Sequence, residues 1–214
     1  MFTGIVQGLC EVTRVEDHPS LRRLTLALGA LAEGLDTGAS VAVNGCCLTV
    51  TGCSGGAVTF DIIQESLALT NLGRLTEGSK VDVERSFRVG DEIGGHILSG
   101  HVAGCAEVIA VNAAENRRDI SLRIPSRWMK YLHHKGFVAL DGASLTITSV
   151  DSAKDTISVS LIPETIARTT LGSAVVGDQI NLEIDAQTQA VVDTVERMLA
   201  SSDWQARLHL PTAQ

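Results

Sequence analysis

Aromatic side chains are scarce: Phe, Tyr and Trp together make 3% of the 214 residues. The core must therefore be built from Val, Ile, Leu and Ala, and base-stacking platforms for single-stranded nucleic acid have no material. A basic face is also missing. The formal net charge is −8, no Lys/Arg stripe stands out, and nucleic acid is not an expected partner. No run of about 18 apolar residues exists, so no membrane partner or span is expected. The opening MFTGIVQG lacks the basic and apolar regions of a signal peptide. The cysteines Cys10, Cys46, Cys47, Cys53 and Cys105 are odd in number, form no CxxC and match no zinc spacing. They are expected to stay reduced in a cytosol, without a metal. Phosphate-loop and dinucleotide fingerprints are absent, so a nucleotide cofactor has no support. Hydrophobic residues at 44% and charged residues at 20% still describe a globular chain, not a disordered one.

What is there is a duplication. TGIVQGLCEV at 3–12 lines up with SGHVAGCAEV at 99–108. LTLAL at 24–28 meets ISLRI at 120–124, and GASVAVNGCCLTVT at 38–51 meets KGFVALDGASLTIT at 135–148. FDIIQESLALTNLG at 60–73 answers VSLIPETIARTTLG at 159–172, and GSKVDVERS at 78–86 answers GDQINLEID at 177–185. The order never changes and the offset hardly drifts, which means two copies of one domain. Each copy alternates short β-branched runs with Gly, Asn, Asp and Ser punctuation, the pattern of antiparallel strands in a small barrel or sandwich. After the second copy the period changes. Val191, Val195 and Met198, with Val192 and Leu199 alongside, form one apolar helical face, and Asp185 or Thr188 can cap its start.

Alternation along a strand puts Cys46, Leu48 and Val50 on one apolar face, with Ala143, Leu145 and Ile147 as their second-copy equivalents. The opposite face carries Cys47, Thr49 and Thr51, matched by Ser144, Thr146 and Thr148. Hydroxyls so placed usually face water, whereas Cys46 reads as core filler. Cys47 sits where its sister copy has a serine. In GGHILSGH the spacing of His96 and His101 fits neither a helix face nor a zinc motif. Each imidazole is expected to cap a turn, a metal being the lesser alternative. His101 replaces Ile5 of the first copy, adding a group that titrates near neutral pH. His18, His133, His134 and His209 are expected at the surface.

MFTGIV, VNGCCLTV, GGHILSGHV, DGASLTI and LIPETIARTTLG together resemble the riboflavin synthases over nearly the whole chain. The resemblance implies an all-β fold of two tandem homologous antiparallel Greek-key β-barrels plus a C-terminal α-helix. Residues 1–96 and 97–186 would be lumazine-binding barrels, 187–201 a trimerisation helix and 202–214 a tail. It implies a cytoplasmic homotrimer without metal or redox cofactor. Its small-molecule substrate would be 6,7-dimethyl-8-ribityllumazine, two of which exchange a four-carbon unit. The products would be riboflavin and 5-amino-6-ribitylaminouracil. A related alternative is a lumazine- or flavin-binding antenna protein without catalysis.

The same resemblance implies the site. Gly4, Ile5 and Val6, then Cys47, Leu48 and Thr49, then Asp61, Ile62, Ile63, Gln64, Glu65 and Ser66 would line a first pocket. Gly100, His101 and Val102, with Lys135, Ser144, Leu145 and Thr146, would line the second. Ser160, Leu161, Ile162, Pro163, Glu164 and Thr165 would complete it. His101 and Ser144, helped by Thr146, are expected to move a proton at the C7 methyl or to assist addition at C7. Cys47 would be their polar or nucleophilic counterpart, and Phe2 would hold the amino terminus over it.

Overall fold

The computed structural model describes residues 1–201 and 204. The expected tail, apart from Trp204, and His209 lie outside the described residues. Two closed six-stranded antiparallel barrels carry the chain. The amino barrel is built from β1 (Gly8–Asp17), β2 (Leu21–Ala27), β3 (Ser40–Val43), β4 (Cys46–Ser54), β5 (Ala57–Ile63) and β6 (Lys80–Arg85). The carboxyl barrel uses β7 (Gly104–Ala114), β8 (Arg117–Arg123), β9 (Phe137–Leu140), β10 (Ala143–Asp151), β11 (Thr156–Leu161) and β12 (Gln179–Ile184). Around the first barrel the order is β1-β2-β5-β4-β3-β6, a Greek-key order that the second repeats. Closure removes the free sheet edges that an open all-β domain would have to protect. Even the register shifts recur, between Val12 and Arg14 and again between Val108 and Ala110. Among the described residues no helix is long and apolar enough to cross a membrane.

Alternation builds both cores as expected. Cys46, Leu48 and Val50 are buried with Phe60, Leu24 and Val83, while Ala143, Leu145 and Ile147 are buried with Ile120, Leu140 and Leu182. Short helices α1 (Gln64–Leu69), α2 (Ser126–Met129) and α3 (Pro163–Arg168) follow β5, β8 and β11. Helix α4 (Ala186–Ala200) starts at Asp185, whose carboxylate accepts the Thr188 backbone N–H at 2.9 Å. Its apolar residues divide. Val192 packs on the carboxyl core, while Val191 and Val195 stay 63% and 48% exposed.

The barrels meet through a pseudo-twofold seam written in amides and acids. In the first copy Asp82 N–H donates to Asn44 Oδ1 at 2.8 Å; in the second Asn181 N–H donates to Asp141 Oδ1 at 2.8 Å. Across the seam Thr170 N–H donates to Asp82 Oδ1 at 2.7 Å, and Asn71 N–H donates to Asn181 Oδ1 at 2.7 Å. The Thr170 hydroxyl bridges Asp82 and Asp141 at 3.0 and 3.4 Å. Both carboxyls are buried. Loss of hydration pushes Asp82 up to about 7 and Asp141 well above the ordinary carboxylate range.

Because the folded state holds these protons more tightly than the unfolded chain, their stabilisation is complete below the unfolded carboxylate range. It is lost as pH rises through the folded value, about 7 for Asp82. Asp82→Asn removes that dependence. Between pH 5 and 8 the stability of the variant, followed by urea unfolding, should gain on that of the parent by about 2–3 kcal/mol. Parallel pH profiles would show that Asp82 does not titrate differently on folding.

Candidate active site

Each barrel is sealed by an arm that comes from the far side of the seam. Thr3 N–H and Oγ1–H donate to Glu84 Oε1 at 2.6 and 2.8 Å, and Gly4 N–H reaches Oε2 at 3.0 Å. Glu84 is on the amino barrel, but the arm then crosses. Gly4 C=O accepts the Ser144 backbone N–H at 2.8 Å, and Val6 joins the carboxyl core. The linker does the mirror image. Ser99 N–H and Oγ–H donate to Glu183 Oε1, both at 2.8 Å. Gly100 C=O then accepts Cys47 N–H at 2.9 Å, and Val102 enters the amino core. Burial raises both glutamate pKa values, against the pull of the arm donors. Phe2 and Leu98 pair across the pseudo-axis in a small core of their own with Ala42 and Ala139, against which Cys47 packs.

This crossing corrects one expectation. Residues 4–6 do not share a wall with Cys47; they lie against Ser144. Residues 100–102 lie against Cys47 and not against Ser144. The reason is steric as well as electrostatic. Gly4 and Gly100 hold φ of +77° and +80°, and a Cβ at either would fall 2.5 or 2.6 Å from the Cβ of Ser144 or Cys47.

On the carboxyl barrel this arrangement leaves a cavity of about 200 Å³, lined by Gly4, Ile5 and Val6 from the arm, Ala143 and Ser144 from β10, and Ile162, Glu164, Thr165, Arg168 and Thr169 around α3. Ser144 is the polar group that β10 brings to the lining, and His96 is its partner, at 2.6 Å from Nδ1 to Oγ. The imidazole is 8% exposed and stacks on Phe137 with ring centres 4.9 Å apart. Burial lowers its pKa, opposed by the nearby Asp185 carboxylate. His96 thus stands behind the cavity, joined to it through Ser144. It does not merely cap a turn, and it stands apart from His101, whose backbone N–H is held by Ser99 Oγ at 3.2 Å beside Cys47's arm.

Other expected residues have different surroundings. Leu48, Ile62, Leu145 and Leu161 are core residues of their barrels. Asp61 is engaged by Arg23 at 2.7 and 2.8 Å, which holds its carboxyl below the usual range. Ser160 donates to Asp119 at 2.6 Å. Thr49, Thr146, Ile63, Gln64, Glu65 and Pro163 are exposed, and Ser66 is half-buried. Lys135 is exposed with φ of +65°, where the first copy has Gly38. Such a backbone costs on the order of 1 kcal/mol for a residue with a Cβ. Reading the sequence alone missed His96, Arg168 and Thr169. Arg168 was visible in the alignment, since the first copy has Leu69 there; it is ion-paired with Glu164. His96 has no first-copy counterpart, so the repeats had nothing to compare it with.

Residues 3–86 and 99–185 each match the lumazine-binding domain family. Riboflavin synthase of Escherichia coli (strain K12) is 49% identical over 205 residues, covering 95% of both chains. The chain belongs to the riboflavin synthase family. Riboflavin synthase of Chlamydia pneumoniae is 48% identical over 203 residues, covering 94% of this chain and 98% of that one. Among solved structures, LumP complexed with riboflavin superposes with a TM-score of 0.81 at 27% identity, covering 86% of this chain and 100% of LumP. LumP complexed with 6,7-dimethyl-8-(1'-D-ribityl) lumazine gives 0.78 at 27%, covering 86% and 99%. Each matched segment of this chain is therefore a barrel with its crossed arm, and Gly4 and Gly100 are the contact points.

Gly95, the first residue of the GHI stretch, tests how tightly the arm roofs the cavity. A Cβ there would lie 2.2 Å from Thr3 O and 2.7 Å from Ser144 Cβ, whereas one at Gly94 meets only Ile5 side-chain atoms at 3.4 and 3.5 Å. Gly95→Ala should lose about 1–3 kcal/mol in urea unfolding, and Gly94→Ala should lose under about 0.5 kcal/mol. Equal losses would mean that the roof yields.

Proposed function

We infer that this chain is a riboflavin synthase. It converts two molecules of 6,7-dimethyl-8-ribityllumazine into riboflavin and 5-amino-6-ribitylaminouracil by moving a four-carbon unit from one to the other. The observation that carries this reading is the pair of equivalent barrels with unlike polar groups at matched positions: Ser144 with His96 on one, Cys47 beside the His101 arm on the other. Two identical substrates need two similar seats, and donor and acceptor roles need those seats to differ. The 49% identity to a riboflavin synthase supports it, against 27% to LumP. The antenna alternative draws on the LumP superposition, and turnover separates the two.

The chemistry asks little beyond position and proton transfer. Every atom of two lumazines is found in the two products, so the overall reaction consumes no oxidant, reductant or water. The C7 methyl is acidic because its carbanion is conjugated with the ring, and a base with a pKa near ambient removes its proton. Holding two bulky heterocycles in register supplies much of the rate. A cavity of about 200 Å³ encloses only part of a ribityl-substituted bicycle, which leaves the rest for a facing surface. We assign that surface to a neighbouring chain, with one chain's amino barrel against the next chain's carboxyl barrel. In that arrangement His101 of one copy approaches Ser144 of another, a meeting that a single chain does not make. Helix α4 gathers three copies through Val191 and Val195, which the barrel leaves uncovered. The acidic chain works in the cytoplasm without nucleic acid or membrane.

Incubation with the lumazine should consume two molecules for each riboflavin formed, with one 5-amino-6-ribitylaminouracil released, by chromatography of the mixture. Bound lumazine fluorescence without product would favour the antenna. Separately, Val195→Glu should convert trimers to smaller species in sedimentation and lower activity at least tenfold at dilute protein. Intact trimers would place the assembly contacts elsewhere.

A further inference from the structure

His96 is the one polar partner of the Ser144 hydroxyl among the described residues, and the other nitrogen of its ring finds no hydrogen-bond partner among them. Nδ1 lies 2.6 Å from Ser144 Oγ, while the buried Nε2 has no hydrogen-bond partner. A neutral imidazole carries one N–H and one lone pair. Leaving a buried N–H without an acceptor costs its full desolvation, whereas an unmatched lone pair is tolerated more often. Protonating both nitrogens would orphan the same Nε2–H and bury a cation besides. Desolvation opposes that charge, with only Asp185 favouring it. The proton therefore belongs on Nδ1.

We propose that His96 fixes the polarity of the carboxyl-barrel cavity: its Nδ1–H donates to Ser144 Oγ, so the serine's own proton is left to be donated to a lone-pair atom of the bound heterocycle. The Ser144 backbone N–H is already committed to Gly4 C=O at 2.8 Å, so the hydroxyl is the proton that this residue can offer. A carbonyl oxygen or an unprotonated ring nitrogen is the group that takes that proton. Naming the ligand as the lumazine rests on the function proposed above. When the C7 methyl of that ring loses its proton, negative charge spreads onto such acceptor atoms, and a fixed hydroxyl donor binds the anion more strongly than the neutral ring. Ser144 then acts by hydrogen bonding to the anion, with His96 as its positioning residue. The equivalent seat in the amino barrel has the Cys47 thiol, a weak donor, and no equivalent imidazole. The two seats thus bind the same ring with different polarity.

Two measurements on the full chain decide this. Long-range proton–nitrogen spectra of histidine-labelled protein without ligand should show His96 protonated at Nδ1 and bare at Nε2; the reverse tautomer, or a doubly protonated ring, would overturn the proposal. In titrations with an unreactive lumazine analogue, His96→Gln should weaken the carboxyl-barrel site about tenfold. His96→Asn, which returns an amide donor near the Nδ1 position, should stay within about threefold of the parent. Equal binding by the parent and the Gln variant would also overturn it. A parent protein that binds no lumazine would overturn the synthase reading and the ligand named here, while the tautomer spectrum would still stand or fall alone.

Discussion

Glu84 and Glu183 each commit a buried carboxylate to the backbone of an arm that belongs, two residues later, to the opposite barrel. Everything else in the molecule is arranged around these two crossings. Val6 and Val102 plug cores that their own repeats do not own, and burying each contributes about 1.5–3 kcal/mol. The arm carbonyls at Gly4 and Gly100 hold the backbone N–H groups of Ser144 and Cys47. Neither barrel is complete without a segment anchored on the other, so the pair behaves as one body although it arose as two.

The seam between the barrels shows how two copies stop being interchangeable. Asn44 and Asp82 in the first copy stand where Asp141 and Asn181 stand in the second, so acid and amide trade places while the hydrogen-bond geometry stays the same. Two first-copy barrels placed in this relation would set amide against amide where an acid now accepts. Asn181 already pairs with Asn71 across the seam, so the exchange sets which half carries the acid at each point while the hydrogen bonds persist. The same divergence reaches the candidate site, where serine and cysteine, arginine and leucine, occupy matched positions of the two copies.

Much of this was legible in the residues. The repeats, the barrel class, the two core faces of β4 and β10 and the cap at Asp185 follow from alternation, periodicity and side-chain chemistry, all of which act over a few residues. The arms were not legible, because an alignment of GIV with GHV says that two segments are equivalent and nothing about which barrel either one closes. Only the carboxylates eighty residues away decide that. His96 was visible as a residue but not as a partner of Ser144, since its environment is assembled from the linker, β9 and β10. Local pattern specifies elements; the site is made where distant elements touch.

Phe2 is 1% exposed, and the segment around it leaves the ribosome ahead of every strand of the two barrels. Its destinations are among the last: Ser144 and the core closed by β12. A nascent chain can seal the amino barrel once residue 102 has emerged, yet its own arm, anchored on Glu84, completes its crossing only when Ser144 and the second core exist. A segment made ahead of both barrels is thus completed only by the later one.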